Sequence, residues 1–186
     1  MQQEYFGFGK IALLPDVLAL NNATRPLFVT GQASFSGSGA ETAIRSCLPE
    51  FSRYPRFSSF SVNPKLDDAL TGCEILLREQ CDSIVAVGGG SPIDMAKAIS
   101  AIHGDLEHAR EVAIGSRALS GNPLPLIVVP TTAGTGSEAT HFAVIYVDGL
   151  KYSLADVRLL PTATIIDPEL TLAVSAHQTA CSGFDA

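Results

Sequence analysis

Long apolar runs are missing from this 186-residue chain, in which no stretch approaches the roughly 20 residues that a membrane-spanning helix needs. The opening residues, MQQEYFGFGK, lack a basic region followed by an apolar one, so no secretory signal is visible and the expected compartment is the cytoplasm. Runs of like charge are also absent. With 12 Lys and Arg against 19 Asp and Glu, the formal net charge is −7, which argues against a nucleic-acid footprint and against an anchor on an anionic membrane. An anionic ligand would have to meet locally placed donors. Cys-x-x-Cys pairs are missing too. Cys47, Cys73, Cys81 and Cys181 are scattered among apolar or helical residues, as reduced, buried thiols are. The phosphate loop of the P-loop NTPases, His-Glu-x-x-His and Gly-x-Ser-x-Gly do not occur.

What is there is an ordinary globular composition, 46% hydrophobic, 17% charged and 7% aromatic. A chain of this length buries about 70% of its unfolded surface. That suffices for one domain, or one with the beginning of a second.

Short β-rich runs alternate with helical ones: Pro26 to Thr30, then Ala40 to Leu48; Phe57 to Val62, then Leu66 to Glu79; Ser83 to Val87, then Pro92 to Ile102. Ile84-Val85-Ala86-Val87 and Leu126-Ile127-Val128-Val129 are apolar throughout instead of alternating, as parallel strands covered on both faces are. The predicted fold is α/β, a doubly wound, mostly parallel, Rossmann-like sheet. Its ligand sites belong in the loops after the strands. From His141 to Leu154 the pattern predicts a β-hairpin turning at Asp148-Gly149, followed by a short strand at Ala163 to Ile166. A helix capped by Ser175 then runs toward the last residue.

Two of these loops carry chemistry. Gly88-Gly89-Gly90-Ser91-Pro92-Ile93-Asp94 lets a ligand approach the backbone closely, with Ser91 expected as helix cap, Pro92 at the first helical position and Asp94 three residues after the cap. Free amides at such a start suit a phosphate, although the same residues also make a plain strand-to-helix turn. Pro130 to Glu138 brings four hydroxyls and two glycines into one loop, suited to phosphate or ribose oxygens, or simply to solvent. Gly134-Thr135-Gly136 with Ala139 satisfies Gly-x-Gly-x-x-Ala, but no clear helix follows it.

GGGSPIDMAKAIS at 88–100, PTTAGTGSEAT at 130–140, KYSLAD at 151–156, IIDPELT at 165–171 and TACSGFDA at 179–186 resemble, in that order and spacing, the iron-containing (group III) alcohol dehydrogenases. Phe6 to Gly9 and Asn63-Pro64 are similar to that family as well, so the resemblance spans essentially the whole chain. It implies an oxidoreductase that is NAD(P)-dependent and metal-dependent, acting on a small alcohol and aldehyde pair. Residues 1–174 would be the cofactor domain and 175–186 the first residues of a truncated helical metal-binding domain. Gly89, Gly90 and Ser91 would hold the pyrophosphate, Asp94 would support that turn, and Asn63 would lie beside the adenosine half. Thr131, Thr132, Thr135 and Ser137 would line the cofactor cleft, with Lys151 near the nicotinamide ribose. Asp185, in Gly183-Phe184-Asp185-Ala186, would be the first ligand of a divalent Fe(II) or Zn(II) ion. His103, His108, His141 and His177 match no ligand position, and only His141 is a candidate for substrate contact.

Many NAD-preferring members have an aspartate where this chain has Gly31. Without a carboxylate to repel a 2′-phosphate, NADP is preferred over NAD, with Gln32, Ser34 and Ser36 as possible donors. The same glycine could also serve only the turn. The chain is therefore expected to be an N-terminal piece that binds cofactor and turns over little, with some tendency to form a homo-oligomer through the apolar face left for its second domain. The competing reading is a non-catalytic nucleotide- or phosphate-binding module.

Overall fold

Strands that are apolar on both faces are stable only inside a sheet covered twice, and that is how this chain folds. The computed structural model describes residues 2–185, without the side chain of Asp185. The strands are β1 (Gln3–Phe6), β2 (Pro26–Thr30), β3 (Arg56–Phe57), β4 (Ser83–Gly88), β5 (Leu126–Pro130), β6 (Phe142–Val147), β7 (Leu150–Ala155) and β8 (Ala163–Ile166). Six of them form one wholly parallel sheet in the order β1-β8-β5-β4-β2-β3, and β6 and β7 pair separately as an antiparallel hairpin. The α-helices are α1 (Leu14–Leu20), α2 (Ala33–Gly37), α3 (Ala40–Cys47), α4 (Leu66–Arg78), α5 (Gly90–Ile102), α6 (Ala109–Ala113) and α7 (Ala176–Asp185).

Alternate residues of the central strands feed two cores. On one face Leu27, Val29, Ile84, Ala86 and Val128 pack with residues of α4, α5 and α6. On the other, Phe28, Val85, Val87, Ile127 and Val129 meet residues of α1 and α3. Each large side chain so buried contributes about 1.5–3 kcal/mol. An exposed ion pair such as Arg110–Asp148, 2.8 Å apart, contributes far less, because water screens both partners. The two cores therefore hold the fold. Helix α4 shows why it joins them: Leu66, Ala69, Gly72, Cys73 and Leu76 recur at helical spacing on its buried side. A Cβ at Gly72 would collide with Ile99 Cδ1, so the glycine sets how closely α4 and α5 approach. Helix α5 is buried along its length from Pro92 onward.

The hairpin turns where the sequence predicts. Asp148 and Gly149 both have positive φ, 52° and 79°, the two-residue turn that matches the twist of the strands it joins. Two local expectations are corrected, and one strand is found that the sequence reading did not mark. The strand predicted from Phe57 to Val62 ends after Phe57, because β3 is a sheet edge paired only with Phe28 and Val29, and the chain then leaves the sheet. Gln3–Phe6, too polar to read as a core strand, pairs with β8 at the opposite edge. Cys181 is exposed, not buried.

Burial pushes the thiol of Cys73 up to about 12 and that of Cys81 up to about 11, and it is the thiolate that reacts. Alkylation of the native chain at pH 8 is expected to be fast at Cys181, slower at half-buried Cys47, and detectable at Cys73 and Cys81 only after unfolding. Peptide mapping by mass spectrometry checks the order.

Candidate functional site

Strands β2 and β4 are neighbours, yet the chain leaves them in opposite directions, to β3 through α2 and α3 and to β5 through α5 and α6. In a sheet so connected, the divergent loops open a crevice at the strand ends. A cleft of about 1050 Å³ lies there. Gly31 lines it from the end of β2, and Gly89, Gly90 and Ser91 from the turn after β4. Thr131, Thr132, Thr135 and Ser137 form a facing wall, and Asn63, Asp94 and Lys151 complete the polar lining. The structure thus brings all of these together in one cleft, whereas Ser36, considered as a further donor, does not line it.

The turn after β4 is tighter than the sequence suggests. Gly88 has φ 151°, and a Cβ on it would lie 2.6 Å from Pro92 Cγ. Helix α5 begins at Gly90, not at Pro92, with Gly89 as the flanking residue and no side chain capping it. Ser91 is therefore inside the first turn, where its hydroxyl accepts from the Asn63 amide at 3.5 Å. Omitting a cap costs a helix about 1 kcal/mol. It also leaves the first amides and the positive end of the helix dipole toward the cleft, an arrangement that attracts an anion.

The threonine loop closes over this start. A Cβ at Gly89 would come within 2.9 Å of Thr132 Oγ1, and one at Gly90 within 3.2 Å of Thr135 Cγ2. Thr132 Oγ1 is buried and has no hydrogen-bond partner among the described residues. A buried hydroxyl left unpaired costs about 1–3 kcal/mol, a cost that turning it from Gly89 toward a phosphate oxygen in the cleft would relieve. After Gly136 the loop makes only a 3-10 turn, Ser137–Ala139, so Gly134-Thr135-Gly136 does not open a helix as a dinucleotide fingerprint does. Gly134, at φ 136°, has another duty: a Cβ there would collide with the Ser182 carbonyl of α7.

Beneath the loop lies Lys97, which sequence reasoning passed over. Its side chain is fully buried, and Nζ donates to the carbonyls of Ser137 at 2.7 Å, Thr140 at 2.7 Å and Phe142 at 2.9 Å, and reaches Thr140 Oγ1 at 3.2 Å. One turn earlier, Asp94 does not support the glycine turn as expected. Its carboxylate accepts from the Val144 amide of β6 at 3.1 Å. Burial raises the Asp94 pKa, opposed by the Val144 amide and Lys97, and burial pulls Lys97 down to about 8. The readable signal was a lysine three residues after Asp94 in GSPIDMAKAISAI, a helix otherwise made mostly of small and apolar residues.

Other expectations fall outside the cleft. Gln32 and Ser34 line it, but the Ser36 hydroxyl is given to Glu41. A Cβ at Gly31 would require the Ser34 hydroxyl, the end of a flexible side chain, to rotate aside. His141 is exposed, edge-on to Phe142, and is not on the cleft wall. Among the described residues no group of three or more His, Cys, Asp or Glu is placed to hold a metal ion, and the Asp185 side chain lies outside them.

The family model for iron-containing alcohol dehydrogenase matches residues 2–168. The chain belongs to that family. It is 37% identical to 4-hydroxybutyrate dehydrogenase of Cupriavidus necator, over 98% of this chain and 48% of that protein. With choline dehydrogenase of Bacillus subtilis the identity is 35%, over 97% of this chain and 46% of that protein. Among solved structures, sulfoacetaldehyde reductase from Bifidobacterium kashiwanohense in complex with NAD+ superposes with a TM-score of 0.90 at 30% identity, covering 99% of this chain and 49% of that one. The chain spans about half the length of the curated relatives it matches. Within this family member, no described helix is long and apolar enough to cross a membrane.

Because Lys97 has its pKa at about 8 when folded and near the ordinary 10.5 when unfolded, the unfolded chain holds the extra proton between those values. Its contribution to stability therefore rises with pH across that window. The unfolding free energy of the native chain minus that of Lys97→Met is expected to grow between pH 8 and pH 10. Urea titrations at both pH values measure it.

Proposed function

We propose that this chain is the cofactor-binding part of an NAD(P)-dependent, metal-dependent alcohol dehydrogenase or aldehyde reductase. The observation that carries the reading is the cradle at the switch point, where an uncapped helix start over Gly89 and Gly90 faces the unpartnered hydroxyl of Thr132. That donor set suits a pyrophosphate. The relative solved with NAD+ and the family match support a nicotinamide dinucleotide over other phosphate ligands.

When bound, such a cofactor exchanges hydride with the carbon of a small alcohol or aldehyde. What the chain supplies is position. The Gly90 and Ser91 amides and the Thr132 hydroxyl would hold the pyrophosphate, and Thr131, Thr135 and Ser137 would wall the cleft beside it. Asn63 would flank the adenosine half and Lys151 the ribose of the nicotinamide half. Both line the same cleft. The described residues assemble no metal site, so the Fe(II) or Zn(II) of the family would need ligands besides Asp185. The relatives' roughly doubled length supports reading 175–186 as the first residues of a second domain.

For the nucleotide, we favour NADP. Around the end of β2 the cleft is lined by Gly31, Gln32, Ala33, Ser34, Gly37 and Ser38, with no carboxylate to repel a 2′-phosphate. The absence of a metal cluster among the described residues keeps the non-catalytic module as the second reading.

Fluorescence titration with NADPH and NADH, with and without Fe(II) or Zn(II), separates these. The expected result is saturable, metal-indifferent binding with NADPH tighter, and a preference shifted by about tenfold toward NADH in Gly31→Asp. Equal affinities, unmoved by Gly31→Asp, would remove the argument for NADP. Saturable binding of AMP with none of either dinucleotide would favour the non-catalytic module.

A further inference from the structure

Lys97 does not itself line the cleft, yet it is bonded to a residue that does. Gly90 and Lys97 are seven residues apart on α5, two turns along the same side of the helix. Gly90 is at the phosphate-binding start. Lys97, fully buried, directs its ammonium at the Ser137, Thr140 and Phe142 carbonyls, which span the end of the threonine loop and the first residue of β6. Ser137 joins the two ends of this arrangement. Its carbonyl is held by Lys97, while its hydroxyl lines the cleft 3.5 Å from where a Gly90 Cβ would sit.

An ammonium has three protons, and all three have oxygen acceptors. Without it, the Thr140 and Phe142 carbonyls would lose their ammonium donor and the Ser137 carbonyl would keep only the Thr140 hydroxyl at 3.4 Å, a large penalty compared with ordinary loop energetics. The loop would move to find water or other donors. Asp94 holds the adjacent part of β6 at Val144, so a loop freed from Lys97 would pivot on that attachment and not leave the helix altogether.

We propose that Lys97 is a positioning residue for the dinucleotide: from within α5 it fixes the spacing between the helix start and the Ser137 wall, and so the width of the cleft beyond the pyrophosphate. The proposal rests on the reading of the cleft as a nicotinamide-dinucleotide site. It assigns Lys97 no contact with cofactor or substrate. The two halves of the ligand should therefore respond differently. AMP needs the β2 end and the α5 start, which Lys97 does not touch. The whole dinucleotide also needs the wall.

The test compares NADPH, followed by fluorescence, with AMP, followed by ligand-observed NMR, on the wild-type chain, Lys97→Met and Thr140→Val at pH 7. Lys97→Met keeps the apolar volume and removes the donors. It should bind NADPH about tenfold or more weakly while AMP changes by about twofold or less. Thr140→Val leaves Lys97 its three carbonyls but removes the bond of the Thr140 hydroxyl to the Ser137 carbonyl, so it is the control for the wall itself and should show the same selective loss at about two- to threefold; Lys97→Gln, which keeps two N–H donors, takes the place of Lys97→Met where that does not fold. Equal weakening of both ligands would reduce Lys97 to a general stabilising role and overturn the proposal, as would NADPH affinity unchanged in a folded variant. A wild-type chain that binds neither ligand would instead overturn the cofactor reading, and the proposal with it.

Discussion

A parallel sheet cannot be closed by short turns. Each strand must be followed by a crossover that covers one face before the chain returns. In this chain the crossovers after β2 and β4 lie on opposite faces, since α3 packs in one core and α5 in the other. Two adjacent strands whose continuations part in this way must leave a gap at their carboxyl ends. The cleft is that gap, and its floor is made of main chain because only glycine-rich turns bend sharply enough there. The site is in this sense a by-product of covering the sheet twice.

The same constraint explains the lysine. A helix packed between the sheet and the hairpin has no solvent side, and α5 is buried from Pro92 to Ile102. A charge on it can persist only with a full set of partners. Lys97 has them because the threonine loop and β6 return over α5 with their carbonyls turned inward. Loop and cation are mutually dependent: the loop lacks regular structure to bond its own carbonyls, and the cation lacks water.

Much of this was legible in the chain itself. The apolar runs at Ile84 to Val87 and Leu126 to Val129 announced buried parallel strands, and Asp148-Gly149 announced its turn, because these signals are local. The glycine and threonine loops of the cleft were legible because they followed those strands, whereas Asn63 and Lys151 came only from the family resemblance. What was hidden depended on partners distant in sequence. The edge strand Gln3–Phe6 is made a strand by β8, some 160 residues away. Asp94 reads as a capping residue from its spacing to Ser91, but the amide it serves belongs to Val144. Lys97 carried no motif of its own, and its acceptors are main-chain atoms, which leave no mark on side-chain pattern.

Helix α7 meets the threonine loop at one point where neither side has room to spare, the Ser182 carbonyl over Gly134. Gln178 and Ser175 of the same region also line the cleft. The contact is main chain against main chain, so it has no rotamers through which to absorb a displacement. The helix and the loop thus brace each other through backbone alone, and the brace rests on a residue that has no side chain.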